Sequence, residues 1–295
     1  MKIFLHNPSH NGDILHTLGI VKMFIESNPE YEIVLVPACS SFLYSNLINN
    51  RITLQQHPRV WTTQMNNIKI EHNSIIPQLH DITCTVYNGD IYINLWKVLT
   101  ENNTNCISLE NRLEYCKNLI SKINNQLGIN LNFNCYSYIE LIPQLPKIDV
   151  TEVLTKLRSY NKKIVLFYNL NSFSGFEYNK KTNDEIIDCL LKKYNQEEHL
   201  LVLVKPNNKY NELLNLERDF NIVPSADGKN LVDTAYIANE CNHVYFKTNG
   251  GSLFILNKLN IINYNNVKYH FIGDNTFFKV IRDEYNLNCV HDELE

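Results

Sequence analysis

Short apolar runs alternate with amphipathic stretches along the chain. Lys2–Asn7 reads as a short buried strand, Lys-Ile-Phe-Leu-His-Asn. Pro8 to Gly12 reads as a polar loop. Asp13 then opens a run in which Ile14, Leu18, Val21, Phe24 and Ile25 fall on one face at helical spacing. Pro29 ends that region, and Glu32–Pro37 reads as a second strand. A β-loop-α-β start of this kind predicts a doubly wound α/β domain with neighbouring strands parallel. Further on, Ile68–Ile70, Ile82–Tyr87 and Asp90–Leu95 read as strands, with Asn88-Gly89 as a hairpin signal. Leu109–Leu127 reads as a helix with Leu113, Cys116, Leu119, Ile120 and Ile123 as its apolar stripe and Gly128 as its C-cap.

Pro143 and Pro146 punctuate the chain, and a linking helix is expected over Val150–Tyr160. A second α/β unit follows. Its expected strands are Lys163–Asn169, His199–Lys205, Asn221–Val223, His243–Phe246 and Ile261–Asn263. Its expected helices are Asp184–Tyr194, Leu231–Asn239, Gly251–Leu259 and Phe277–Tyr285. Two domains also suit a chain of 295 residues.

Composition changes the picture at two points. Glycine is scarce, at 9 residues where an average protein would carry about 20. Asparagine is abundant, at 44. The asparagine surplus reads as the coding signature of an AT-rich genome and the rare glycines as positions the backbone requires. A net charge of −4 argues against a general nucleic-acid binder. No apolar run is long enough to span a membrane, and the N-terminal apolar run is too short for a signal-peptide core. Eight cysteines without a C-x-x-C pair are expected to be reduced, and no metal-ligand spacing recurs.

Candidate chemistry lies in loops after strands, which in an open parallel sheet form the ligand crevice. The first is Ser9-His10-Asn11-Gly12-Asp13. There Asp13 either caps free helix N–H groups or serves as a general base. The second is Lys247-Thr248-Asn249-Gly250-Gly251-Ser252, between a strand and a helix. Its paired glycines let backbone approach a ligand, and the helix N-terminus suits a diphosphate. Lys247 would add a point charge. The third holds Asn169, Ser172, Ser174 and Gly175, either a phosphate contact or a solvated loop, with Lys205 ending a strand on the same side. The G-x-G-x-x-G, P-loop and G-x-S-x-G fingerprints are absent.

Two patches carry a family resemblance. Gly12-Asp13-Ile14-Leu15-His16-Thr17-Leu18, a helix, and then Asn28-Pro29-Glu30-Tyr31-Glu32-Ile33-Val34-Leu35-Val36 resemble the opening of the ADP-heptose:lipopolysaccharide heptosyltransferases, glycosyltransferase family 9. Leu231-Val232-Asp233-Thr234-Ala235-Tyr236-Ile237-Ala238 with Val244-Tyr245-Phe246-Lys247-Thr248-Asn249-Gly250-Gly251-Ser252 resembles their late helix and donor-phosphate loop. The resemblance implies a GT-B fold, two Rossmann-like domains facing a central cleft. Residues 1–148 would bind the acceptor and residues 149–295 the nucleotide-sugar donor. It implies an inverting, metal-independent transfer from a nucleotide-diphosphate sugar to a hydroxyl of a glycan, lipid or protein, without a cofactor. Asp13 matches the family's base, and Gly250, Gly251 and Ser252 match its phosphate loop. His10, Asn11 and Gly12 would line the acceptor side. Lys247, Thr248, Asn249, Asn169 and Lys205 would line the donor side.

The chain departs from that pattern where Thr248-Asn249-Gly250 replaces an acidic residue followed by Ser or Thr and Gly, and where Leu253 replaces a histidine. That keeps two other readings open: a non-catalytic GT-B-like module for nucleotide or glycan, and a nucleotide-sugar 2-epimerase. A cytoplasmic location, in the host cell if the source is viral, is expected, with room for peripheral membrane contact.

Overall fold

The computed structural model describes residues 1–7, 11–55, 59–60, 69–70, 84–95, 109–141, 144–170, 181–247, 267–273, 289–292 and 294. The chain forms two units. The first comprises Met1–Pro146 with Ala226–Lys229, and the second Lys147–Ser225 with Asn230–Glu295.

The first unit contains β1 (Lys2–Asn7), α1 (Asn11–Ser27), β2 (Glu32–Pro37), β3 (Ile52–Leu54), β4 (Arg59–Val60), β5 (Lys69–Ile70), β6 (Cys84–Tyr87), β7 (Asp90–Asn94) and α2 (Leu109–Leu127). Its five-stranded sheet runs β3-β2-β1-β7-β6, parallel throughout except for the antiparallel β6–β7 hairpin. Asn88 and Gly89 turn that hairpin with φ of 51° and 83°. Two consecutive positive φ values define the turn whose twist matches paired strands, and asparagine followed by glycine tolerates it best. β4 and β5 form a separate antiparallel pair. In β1, Ile3, Leu5 and Asn7 are buried and alternate with more exposed neighbours, while β2 is buried from Ile33 to Pro37. Cys116, Leu119 and Ile123 bury the stripe of α2, and the Gly128 N–H closes the helix on Asn124 O.

The second unit contains α3 (Thr151–Arg158), β8 (Lys163–Tyr168), α4 (Asn183–Lys193), β9 (His199–Leu203), β10 (Leu214–Asn215), α5 (Leu216–Asp219), α6 (Lys229–Ala238), β11 (His243–Phe246), β12 (Lys268–Phe271) and β13 (Cys289–His291). Lys229, the first residue of α6, belongs to the first unit. Six parallel strands run β10-β9-β8-β11-β12-β13. Numbered within the unit this is 3-2-1-4-5-6, the strand order of dinucleotide-binding doubly wound sheets. The first unit follows the same plan, reversing direction of growth between β1 and β7. The protein is therefore an α/β chain of two doubly wound units.

Several expectations change. Helix α1 begins at Asn11, so Gly12 and Asp13 occupy its first turn and Gly12 is not in a loop before it. Asn221–Val223 is not a strand: Asn221 has φ of 56°, and the Ile222 N–H turns back to Leu216 O at 3.0 Å. The edge strand is Leu214–Asn215, ended by the Asn215 side chain, which accepts from the Arg218 N–H and starts α5. β3, β4, β10, β12 and β13 carry too weak an apolar pattern to be read from sequence, β12 because His270 interrupts it. The expected elements Gly251–Leu259, Ile261–Asn263 and Phe277–Tyr285 lie outside the described residues. The six cysteines at 39, 84, 116, 135, 189 and 241 are free thiols.

Gly19 lies inside α1, where glycine ordinarily costs about 1 kcal/mol relative to alanine. A Cβ there would sit 1.8 Å from Leu141 O and 2.4 Å from its carbonyl carbon. The helix thus packs directly on the backbone of the Tyr138–Leu141 turn. The steric term exceeds the propensity term, so Gly19→Ala is expected to destabilise by about 3 kcal/mol or more. Thermal unfolding should show this as a fall of roughly 10 °C. Gly89→Ala, with nothing within 4 Å of its Cβ, should lose only about 1 kcal/mol from the positive φ.

Candidate functional site

In each sheet the order reverses beside the first strand, and ligands of open α/β sheets bind at the carboxyl ends of the strands there. In the first unit these ends are Asn7 on β1 and Asn94 on β7, each 1% exposed. The Asn7 Nδ2 donates to Thr17 Oγ1 at 3.0 Å, and the Thr17 hydroxyl donates to Ile14 O at 3.0 Å. The last residue of β1 is thereby tied to the second turn of α1. Tyr44 is fully buried beside them, its hydroxyl near Thr17 and Asn7 but in hydrogen-bonding geometry with neither, and burial pushes its pKa up to about 12. Asp13 lies on α1 one helical turn before Thr17. His10 lies outside the described residues, and Asn11 and Gly12 begin the helix.

In the second unit the reversal lies between β8 and β11, where Tyr168 pairs in register with Phe246. The next residues are Asn169 and Lys247, each 6% exposed. Asn169 is engaged by the fold through both its side-chain oxygen and its side-chain nitrogen. Its Oδ1 accepts from the Val204 N–H at 3.1 Å and the Lys205 N–H at 2.8 Å, and its Nδ2 donates to Lys205 O at 2.9 Å. Its own carbonyl accepts from Asn183 Nδ2 at 3.0 Å. Asn169 therefore clips the ends of β8 and β9 together through the backbone of Lys205, while the Lys205 residue itself is exposed.

The helix start that follows β8 is closed by its own side chains. The Thr182 hydroxyl accepts from the Glu185 N–H at the start of α4, and the Glu185 carboxylate accepts from the Thr182 N–H at 2.6 Å. Those bonds hold Glu185 below the ordinary carboxylate range. With Asp184 and Glu185 in its first turn, α4 has its own anions at its positive end and repels another. On the β11 side of the crevice stands Lys247, the residue after that strand. Among the described residues Lys247 has no carboxylate partner. Thr248, Asn249, Gly250, Gly251 and Ser252 lie outside the described residues, as do Ser172, Ser174 and Gly175.

Sequence reasoning overlooked Asn7, Thr17, Tyr44 and Asn94. A usable signal was present, since a polar residue ends two otherwise apolar strands. The capping box also shows in Thr182-Asn183-Asp184-Glu185. Among the described residues no group of three or more His, Cys, Asp or Glu could hold a metal. No helix among them is long and apolar enough to cross a membrane.

With this geometry in place, the fold class is that of doubly wound parallel-sheet proteins. No protein-family model and no curated protein matches the sequence. Among solved structures the chain is similar to the E. coli ADP-heptose lps heptosyltransferase II, at 11% identity over 92% of this chain and 84% of that one, with a TM-score of 0.45. It is similar to the glycosyl transferase family 9 of Veillonella parvula DSM 2008, at 11% identity over 99% and 85%, with a TM-score of 0.46. It is also similar to E. coli heptosyltransferase WaaC with ADP, at 10% identity over 99% and 91%, with a TM-score of 0.44. These structural neighbours are glycosyltransferases.

The bonding of Asn169 yields a test. Asn169→Ala should cost about 2 kcal/mol in denaturant unfolding, because it strands the N–H and carbonyl of Lys205, while the Val204 N–H keeps Phe167 O at 3.2 Å. Any stabilisation of the protein by an anionic ligand should survive that substitution, whereas a residue that holds the donor would lose both.

Proposed function

We propose that the protein is a glycosyltransferase that moves a sugar from a nucleotide-diphosphate sugar to a hydroxyl acceptor, with inversion and without a metal. The observation that carries the reading is Lys247. It is a buried lysine at the reversal point of a parallel sheet with the dinucleotide-binding strand order, and it has no carboxylate partner among the described residues. Burying a cation is unfavourable unless a counter-charge meets it, and a diphosphate supplies one. The closed start of α4 directs that anion to the β11 side. The two sequence patches resembling family 9 supply the rest of the assignment.

In this reading residues 1–148 hold the acceptor and residues 149–295 the donor. Asp13 takes the proton of the acceptor hydroxyl as its oxygen attacks the anomeric carbon in line. The bond from that carbon to the diphosphate oxygen breaks, and the nucleoside diphosphate departs with the electron pair. Its charge is met by Lys247 and by N–H groups of the Gly250-Gly251-Ser252 segment, the kind of fixed dipole that stabilises a leaving anion. His10, Asn11 and Gly12 neighbour the base, and Thr248 and Asn249 neighbour the diphosphate. No cofactor takes part, and a cytoplasmic location follows from the use of a nucleotide sugar.

Thermal shift against nucleoside diphosphates, ADP first, and their sugars tests binding. A nucleotide at about a hundred times its Kd should stabilise by about 2.7 kcal/mol, roughly 5–10 °C. Lys247→Met should fold normally and lose that shift. Release of free nucleoside diphosphate from the sugar donor should be insensitive to EDTA, and Asp13→Asn should slow it by about a hundredfold or more. Stabilisation without release would make the protein a binding module, and no binding to any nucleotide would end the proposal.

A further inference from the structure

The second unit contains a closed chain of polar groups beside the apolar cluster of Phe167, Ile187 and Leu190. Asp292, just after β13, lies at its centre. Its Oδ2 accepts from Lys193 Nζ at 2.6 Å, His270 Nδ1 at 3.1 Å and the Tyr245 hydroxyl at 3.2 Å, and its Oδ1 accepts from the Leu294 N–H at 3.2 Å. The Tyr194 and Tyr245 hydroxyls are 2.8 Å apart, and His243 Nδ1 lies 3.0 Å from His270 Nε2. The His270 ring stacks on Tyr245 with centroids 4.2 Å apart.

One arrangement of protons satisfies every bond. An ionised carboxylate only accepts, so His270 Nδ1 and the Tyr245 hydroxyl both donate to Asp292. The Tyr245 oxygen then accepts from Tyr194. Neutral His270 carries its lone pair on Nε2, so His243 Nδ1 bears a hydrogen and the His243 lone pair sits on Nε2. A first added proton enters at His243 Nε2 and breaks no bond. Transfer along the chain moves the positive charge to His270, next to the Asp292 carboxylate. A second proton places hydrogens on both facing nitrogens and sets two cations side by side. Lys193 then stands beside them at the end of α4, Lys268 on β12, Lys163 on β8 and His199 on β9.

We propose that the His243–His270–Asp292 chain is an acid-opened latch on the C-terminal segment, which absorbs one proton and on taking a second releases Cys289–Leu294 from the unit. The segment is suited to release. β13 has three residues and pairs only with β12 among the strands of its sheet. Beyond it, Asp292, buried Leu294 and the Lys181–Leu294 and Cys189–Leu294 hydrogen bonds hold the tail.

The direction of the pH effect follows from the proton balance. Burial lowers His270 to about 4, and burial with Lys268, His199, Lys193 and Lys163 lowers His243, against about 6.5 in an unfolded chain. Between those values the unit binds more protons with the segment released and the histidines of β11 and β12 exposed than with it in place, so the attachment weakens as pH falls through that window. Burial raises Asp292, but Lys193, the Leu294 N–H and His270 outweigh it and hold the carboxyl below its ordinary range. Its own protonation therefore comes later and acts in the same direction.

Amide hydrogen exchange of the full chain at about pH 7.5 and about pH 5, corrected for intrinsic rates, tests this. Protection of Asp292 and Leu294 should fall by about tenfold or more at the lower pH. His270→Gln donates to Asp292 and accepts from His243 without titrating, so it should keep protection at both values. Unchanged protection in the unmodified chain, or an equal loss in His270→Gln, would overturn the proposal. Should that variant fail to fold, imidazole titration by NMR in the unmodified chain decides. Two separated steps below about 6.5 support the latch, and two independent steps near the ordinary value overturn it.

Discussion

The structure depends on asparagine side chains that take the place of a strand. An amide sets a donor and an acceptor side by side in the geometry of a peptide group, so it can pair with both backbone groups of a single residue. Asn28 does so with Asn132, donating to its carbonyl at 2.9 Å and accepting from its N–H at 2.8 Å. Asn124 does so with Leu131, at 2.8 and 2.7 Å. Asn169 does so with Lys205. Each pairing occurs where a strand or helix ends and leaves backbone groups that need partners. A made bond contributes about 1 kcal/mol net, whereas an unpaired buried group costs about 1–3. The constraint is therefore stricter than the gain suggests.

Around these clips the rest of each unit is positioned. The C-terminal end of α1 is held by Asn28, by Ser27 accepting from the Asn134 N–H, and by the Arg51 guanidinium donating to the carbonyls of Ile25, Asn28 and Tyr31. Its N-terminal half is held by Asn7 through Thr17. A helix fixed at both ends carries Asp13 at a definite place relative to the end of β1. The first strand of the second unit is followed by Asn169, which occupies the crevice floor as Asn7 does in the first. In both units an asparagine at the reversal point binds the fold to itself.

Much of this plan was legible in the sequence. β1, β2, α2 and β11 match their expected residues because apolar periodicity, Pro29, the Asn88-Gly89 turn and Gly128 all act locally. What stayed hidden depends on distant partners. Asn28 and Asn132 are 104 positions apart, so nothing near Asn28 marks it among 44 asparagines. The surplus taken for a coding signature contains the residues that close the fold. His270 concealed β12 for a related reason: a histidine inside a parallel strand looks like a break until Asp292 and His243 are known to satisfy it. Gly19 gave a sign, a costly residue in mid-helix, but its cause, the Leu141 backbone, is again remote in sequence.

The second unit buries two kinds of polar group, and their difference separates structure from function. In the chain through Asp292 every hydrogen bond has one donor and one acceptor within the fold, so its valences are internally met. A network of that kind specifies packing and carries its own counter-charge. Lys247 has an ammonium with three donors and no carboxylate opposite it among the described residues. It stands at the end of β11, 6% exposed. An unpaired buried ammonium is unfavourable, and in the proposed function the diphosphate of the donor supplies the counter-charge that the described residues do not.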